Sequence, residues 1–185
     1  MDRHFLFLLA STRREGNSEQ LARRAAAQLP PSATATWMRL DEHPLPPFQD
    51  LRHSGGYGDP EGTARHLADA TLEATDLVIV SPVYWYSLPA AAKLYFDHWS
   101  AWMRSPALNL RERMAGKRLW VILVDSDQAH EGSADPVLDS LRRTAGFMEM
   151  DLAGTLVGHG SKPGEALQDP AVTARADAFF RSVVQ

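Results

Sequence analysis

The chain has 185 residues, 44% hydrophobic and 23% charged, the mix of an ordinary globular protein, and its length suits one domain, residues 1–185, rather than two. A formal net charge of -4 supplies no basic field for nucleic acid or an anionic membrane surface. Cysteine is absent, which excludes disulfides, thiolate chemistry and Cys-ligated zinc or iron–sulfur sites. No apolar run is long enough for a signal-peptide core or a membrane span, so the expectation is a soluble, cytoplasmic protein.

In chain order, the apolar run Phe5-Leu6-Phe7-Leu8-Leu9 predicts a first strand over 4–9. A helix over 17–29 follows, with Leu21, Ala25 and Leu29 on one face and Pro30-Pro31 ending it. Residues 34–40 (TATWMRL) predict the second strand. The long loop 41–60 holds Pro44, Pro46, Pro47 and Pro60 with Gly55, Gly56 and Gly58; its Phe48 and Tyr57 are read as pinning the loop down in preference to covering a ligand. Asp59-Pro60 predicts the cap and first position of a helix to 74.

Leu77-Val78-Ile79-Val80 predicts a central strand covered on both faces. After the loop 81–89 a helix is expected over 90–103, with Ala91, Leu94, Tyr95, His98 and Trp102 sharing a face. Trp99, Trp102 and Met103 leave two readings open, a dimer interface or burial in the chain's own core. Residues 119–124 (LWVILV) predict strand four, and 125–133 (DSDQAHEGS) its loop. Asp135-Pro136 opens a helix that Gly146 closes, and 151–157 is a fifth strand weakened by Gly154. Asp169-Pro170 opens the last helix. Strands alternate with helices throughout, which predicts an α/β parallel sheet with helices on both faces. Such sheets bind ligands outside the C-terminal ends of their strands. The suspicious loops follow strands one, three and four, and therefore share that edge.

The first loop lies in ASTRREGNSEQL, residues 10–21. A helix N-terminus has unpartnered N–H groups and partial positive charge, so it accepts an anion. Ser11, Asn17 and Ser18 add side-chain donors, Arg13 adds a charged fork, and Gly16 lets the loop close. The chain lacks G-x-G-x-x-G for a dinucleotide and G-x-x-x-x-G-K-[ST] for a nucleoside triphosphate, leaving one terminal phosphate. A second reading makes Asn17 or Ser18 only a helix cap, with Arg13 and Arg14 solvated.

The third loop sets Tyr84-Trp85-Tyr86 between Pro82 and Pro89. Aromatics on a stiff loop suit a planar heterocycle, whose polar edge the loop's N–H groups can bond; the alternative is that they fill the core.

These motifs together resemble the NADPH-dependent FMN reductase and NAD(P)H:quinone reductase group of flavodoxin-like proteins. LASTRREGNSEQLA resembles that group's phosphate loop, SPVYWYSLPAAAKLYFDHW its second flavin loop and following helix, and MAGKRLWVILV its Gly-Lys entry to strand four. The resemblance implies a doubly wound five-stranded sheet of order 2-1-3-4-5. It implies that Ser11, Arg13, Asn17 and Ser18 hold the phosphate of FMN and that Pro82, Val83, Tyr84, Trp85 and Tyr86 line its ring. The loop after strand four is usually glycine-rich in the group, and here only Gly132 appears; Ser126, Asp127, Gln128 or His130 would meet the ring's pyrimidine edge instead. Position 10, often glycine in the group, is Ala10.

The activity so implied is hydride transfer from NADPH or NADH through bound FMN to a quinone, flavin, nitro or azo acceptor, with the flavin carrying the chemistry. His130 has two readings: stabilising charge on reduced flavin or quinone, by analogy with quinone reductases, or simple solvation. Asp125 and Asp127 do not make a magnesium site of phosphotransfer type, because Ala10-Ser11 puts no acid at the end of strand one. No H-E-x-x-H is present, and Asp97 and His98 are read as structural. The group's habit is a homodimer or homotetramer. The rival readings are a flavodoxin-like electron shuttle, which an arginine in the phosphate loop disfavours, and a flavin-binding regulatory module without turnover.

Overall fold

The computed structural model describes residues 3–126 and 132–181. Strands β1 (His4–Leu9), β2 (Thr34–Arg39), β3 (Asp76–Pro82), β4 (Arg118–Asp125) and β5 (Asp151–His159) form one sheet in the order β2-β1-β3-β4-β5. Every pairing is parallel. Helices α1 (Asn17–Ala26), α2 (Gly62–Glu73), α3 (Ala90–Trp102), α4 (Leu110–Met114), α5 (Asp135–Phe147) and α6 (Pro170–Ala178) connect and cover it. The period-two alternation of a strand divides the core. Leu6 and Leu8 of β1 pack on the face shared with Leu67 of α2, Tyr95 of α3 and Leu141 of α5. Phe5, Phe7 and Leu9 pack on the other face with Leu21 of α1 and Val172 and Ala176 of α6.

The predicted alternation of strands and helices stands, and the differences lie at boundaries. Helix α1 stops at Ala26, its last turn tightening through Gln28 N–H to Ala25 and Leu29 N–H to Ala26 at 3.1 Å. Helix α2 begins at Gly62 rather than Pro60, and Asp59 accepts a hydrogen bond from Ser105 Oγ instead of capping it. Gly146 lies inside α5; the left-handed residue after that helix is Glu149, at φ 57°. Asp169 does cap α6, accepting from Ala171 N–H at 2.8 Å and Val172 N–H at 3.3 Å. Strand β5 runs through Gly154, where a Cβ would stand 2.9 Å from the Trp120 ring. The glycine admits that ring where the β4–β5 register shifts.

Helix α3 buries Ala92, Tyr95, Trp99 and Trp102, a stripe displaced from the expected one. Trp99 and Trp102 belong to the chain's own core, 4% and 1% exposed. Phe48 and Tyr57 stack on each other at 6.1 Å, and the Tyr57 hydroxyl accepts from Leu51 N–H, so the long loop is pinned by its own aromatics. His98 contacts the Pro46 carbonyl, and Asp97 pairs with Lys93. No described helix is long and apolar enough to cross a membrane.

Candidate functional site

A cavity of about 220 Å³ opens at the C-terminal ends of β1, β3 and β4. Ser11, Arg13, Asn17 and Ser18 line one side, Pro82, Val83 and Tyr84 another, and Ser126 a third. The loops after β1, β3 and β4 thus meet, as the connectivity predicts. Trp85 and Tyr86 are not part of this wall. Asp127, Gln128 and His130 lie outside the described residues.

The loop after β1 is held at almost every point. Gly16 precedes α1 in extended conformation, and no side chain caps the helix, so the first-turn N–H groups keep their donor capacity. Neither Asn17 nor Ser18 acts as the cap. Ser11 Oγ accepts from Arg13 N–H at 3.1 Å, and Glu15 turns the chain at φ 52° with its N–H on Glu19 Oε2 at 3.1 Å. Arg14 is drawn to Asp41 and Glu42, at 3.3 and 2.8 Å.

Asn17 plays a part its residue type did not announce. Its Nδ2 donates to the carbonyls of Gly160 and Lys162, both at 2.9 Å. Those side-chain donors tie α1 to the loop after β5, leaving the Asn17 backbone N–H for a ligand. Arg13 Nη1 likewise donates to the Ser161 carbonyl at 3.0 Å. The loop after β5 therefore contributes a fourth side, with Gly160 and Ser161 in the cavity wall. Glu165 shapes it by accepting from Lys162 N–H at 2.8 Å and Ser161 N–H at 2.7 Å. Those two bonds, that from Lys162 foremost, hold the Glu165 carboxyl below the usual carboxylate range.

Sequence reading missed this loop, along with Val124 and Asp125 in the wall and Arg39 behind it; Gly16, read as letting the loop close, lies in the wall as well. Asp125 is buried, and its carboxylate bridges Ser133 Oγ and His159 Nδ1. The Asp125 carbonyl also accepts from Gly160 N–H at 2.8 Å, so the ends of β4 and β5 are locked together. No local sequence signal marks this loop: Gly160 must be glycine because a Cβ there would stand 2.8 Å from Ala166 N and 2.9 Å from Asn17 Nδ2, atoms of other segments.

The aromatic loop is a two-residue turn. Tyr84 and Ser87 exchange N–H to carbonyl bonds at 3.0 Å in both directions, and Trp85 and Tyr86 between them have φ of 50° and 60°. Two central residues at positive φ mark a type I′ turn, which ordinarily takes Asn and Gly. The turn projects the rings outward. Trp85 is 94% exposed, and Tyr84 and Tyr86 are half-exposed.

Residues 3–181 match the family model for the flavodoxin-like fold. The chain belongs to that family. This flavodoxin-like chain is 27% identical over 172 residues, 92% of each chain, to the Bacillus subtilis (strain 168) protein named "Putative NAD(P)H-dependent FMN-containing oxidoreductase YwqN". Among solved structures it resembles the Trp repressor binding protein from Bacillus subtilis, with a TM-score of 0.74, 22% identity and 94% and 96% of the two chains covered. It also resembles an FMN-dependent NADH-azoreductase from Bacillus anthracis str. Ames Ancestor in complex with FMN, with a TM-score of 0.71, 14% identity and both chains fully covered.

Proposed function

We propose that this protein is an FMN-dependent NAD(P)H oxidoreductase that reduces a small quinone, flavin, nitro or azo acceptor. The carrying observation is one cavity bounded by an anion-accepting turn, Ser11 to Ser18, and by Pro82, Val83 and Tyr84. The two walls fit the two ends of a flavin mononucleotide. At the polar end stand the N–H groups opening α1, the Ser11 and Ser18 hydroxyls and the Arg13 guanidinium, a donor set for a phosphate. At the other end Pro82, Val83 and Tyr84 give an apolar wall for a flat ring, and Ser126 stands near its polar edge.

Held by the N–H groups opening α1 with Ser11, Ser18 and Arg13, FMN would supply the redox chemistry, hydride transfer between a reduced nicotinamide and the acceptor. The chain's own residues bind and orient. Arg13 closes the phosphate end by bridging to the loop after β5, and Asn17 fixes the spacing between that loop and α1. Tyr84, lining the cavity yet half-exposed, sits where a second substrate would enter. Trp85 and Tyr86, outside the cavity wall, stand on the exposed turn beside it. The relative from Bacillus subtilis (strain 168), whose name carries both cofactors, supports the same reading.

The single sheet supports one catalytic domain, and dependence on reduced nicotinamide supports a cytoplasmic setting. An apolar groove of about 360 Å³ between α3 and α5 holds Phe96, Met103 and Phe147, the last 57% exposed. It supports a homodimer or homotetramer, which light scattering tests. The activity is tested by flavin absorbance of the purified protein, a rise in Tm on adding FMN, and NAD(P)H oxidation with menadione or FMN as acceptor. Bound flavin without NAD(P)H oxidation would overturn the oxidoreductase reading in favour of a binding module.

A further inference from the structure

The turn after β1 is gripped from behind by a residue that does not itself line the cavity. Arg39 ends β2 with its side chain 12% exposed. Its Nη1 donates to Glu19 Oε2 at 2.7 Å, and its Nη2 donates to the carbonyls of Ser11 at 3.0 Å and Arg13 at 3.1 Å. Two further carbonyls of the same turn are also engaged. Gln20 Nε2 donates to the Glu15 carbonyl at 2.6 Å, and Gln20 N–H to that of Gly16 at 2.9 Å. The carbonyl oxygens of Ser11, Arg13, Glu15 and Gly16 thus all point at donors of the protein itself.

That arrangement has an electrostatic consequence. A carbonyl lone pair turned toward a phosphate oxygen repels it, whereas an N–H attracts it. A trans peptide points its C=O and N–H in opposite directions. Fixing the Ser11 and Arg13 carbonyls on Arg39 therefore turns the N–H groups of the same peptides, those of Thr12 and Arg14, away from the guanidinium. Glu19 sets the height of the grip, because one carboxylate oxygen receives both Arg39 Nη1 and Glu15 N–H.

We propose that Arg39 is a positioning residue that makes this turn selective for an anion, by drawing its carbonyls back onto the end of β2. The proposal rests on the flavin mononucleotide reading above and adds its phosphate selectivity: the same ring without a phosphate gains nothing from the clamp. It also separates geometry from charge. A lysine at 39 keeps the charge, but an ammonium lacks the planar fork that reaches two carbonyls and a carboxylate together.

The test uses the full chain with Arg39→Lys and Glu19→Gln, titrated with FMN, with riboflavin, and with inorganic phosphate read as a Tm shift. For Arg39→Lys the dissociation constant for FMN should rise about tenfold or more, the loss of one charge-assisted contact's worth of orientation, and that for riboflavin should stay within about twofold. Glu19→Gln, which keeps the shape of the side chain, should shift the FMN-to-riboflavin ratio in the same direction by less. The phosphate-induced Tm shift should shrink in both. An equal loss for FMN and riboflavin would mean a packing role and overturn the proposal, as would unchanged FMN affinity in Arg39→Lys. If the wild-type protein binds FMN no better than riboflavin, the mononucleotide reading falls; a phosphate-induced Tm shift that Arg39→Lys abolishes then still supports the clamp, and one it leaves intact overturns it.

Discussion

The two ends of the cavity are built in opposite ways. At the anion end, Asn17, Arg13 and Arg39 join the turn after β1 to the loop after β5 and to β2, so donors are fixed before any ligand arrives. At the ring end, Trp85 and Tyr86 sit at positive φ on a two-residue turn with their rings in water. Neither residue type favours that conformation, which costs about 1–2 kcal/mol per residue. On the proposed function, that strain and exposed apolar surface stand where an acceptor would be met. Affinity is thus prepared at one end and shape is left adjustable at the other.

Arg13→Ala breaks the prepared end most directly. Loss of a charged donor to phosphate should weaken FMN binding about tenfold to a hundredfold in a fluorescence titration. Riboflavin binding should hardly change. Unchanged FMN affinity would remove Arg13 from the site.

Gly160→Ala attacks the same end through packing. The added Cβ meets Ala166 N at 2.8 Å, which is backbone and cannot swing aside, so the loop after β5 must shift and take the Asn17 contacts with it. Overpacking of this kind costs about 1–3 kcal/mol, readable in urea denaturation. FMN affinity should fall in parallel. A variant as stable as the parent would show that the loop is softer than its hydrogen bonds imply.

The ring end should respond with the opposite sign. The double change Trp85→Asn and Tyr86→Gly gives the turn the pair its geometry ordinarily takes, and should raise stability by about 1–2 kcal/mol. It should also lower turnover with a quinone acceptor if the exposed rings beside Tyr84 meet that acceptor at the cavity mouth. Gain of stability with unchanged turnover would leave Trp85 and Tyr86 without a role at the site.

The same contrast explains what was legible in the sequence. Leu77 to Val80, Phe5 to Leu9 and the Asp169-Pro170 start of α6 announce themselves locally, through apolar runs and a cap one or two residues away. Ser11 and Arg13 were legible because a strand, a polar loop and a helix follow one another. Gly160 was not, because the atoms that require it to be glycine belong to Asn17 and Ala166, the former 143 positions away in the chain. Arg39 read as one more strand residue, since its partners lie across the β1–β2 boundary. The turn at Trp85 was hidden for another reason: turn chemistry is read from Asn and Gly, and neither is there.

The smallest effect concerns Glu165, whose carboxylate organises Ser161 and Lys162 behind the anion end. Those N–H bonds favour the charged form, so its pKa in the folded protein lies below the ordinary 4.5. A depressed carboxylate pKa contributes stability that is present above the unfolded value and lost as pH falls through the folded one. Amide exchange at Ser161 and Lys162 should therefore open below about pH 4.5, while FMN affinity falls because Arg13 and Asn17 lean on that loop. In Glu165→Gln the opening should be present at every pH and the extra dependence should vanish. FMN titrates its own phosphate in both proteins, so only the difference between the two profiles reports on Glu165. Superimposable profiles would mean that Asn17, Arg13 and the Gly160–Asp125 backbone bond hold the loop without help from Glu165.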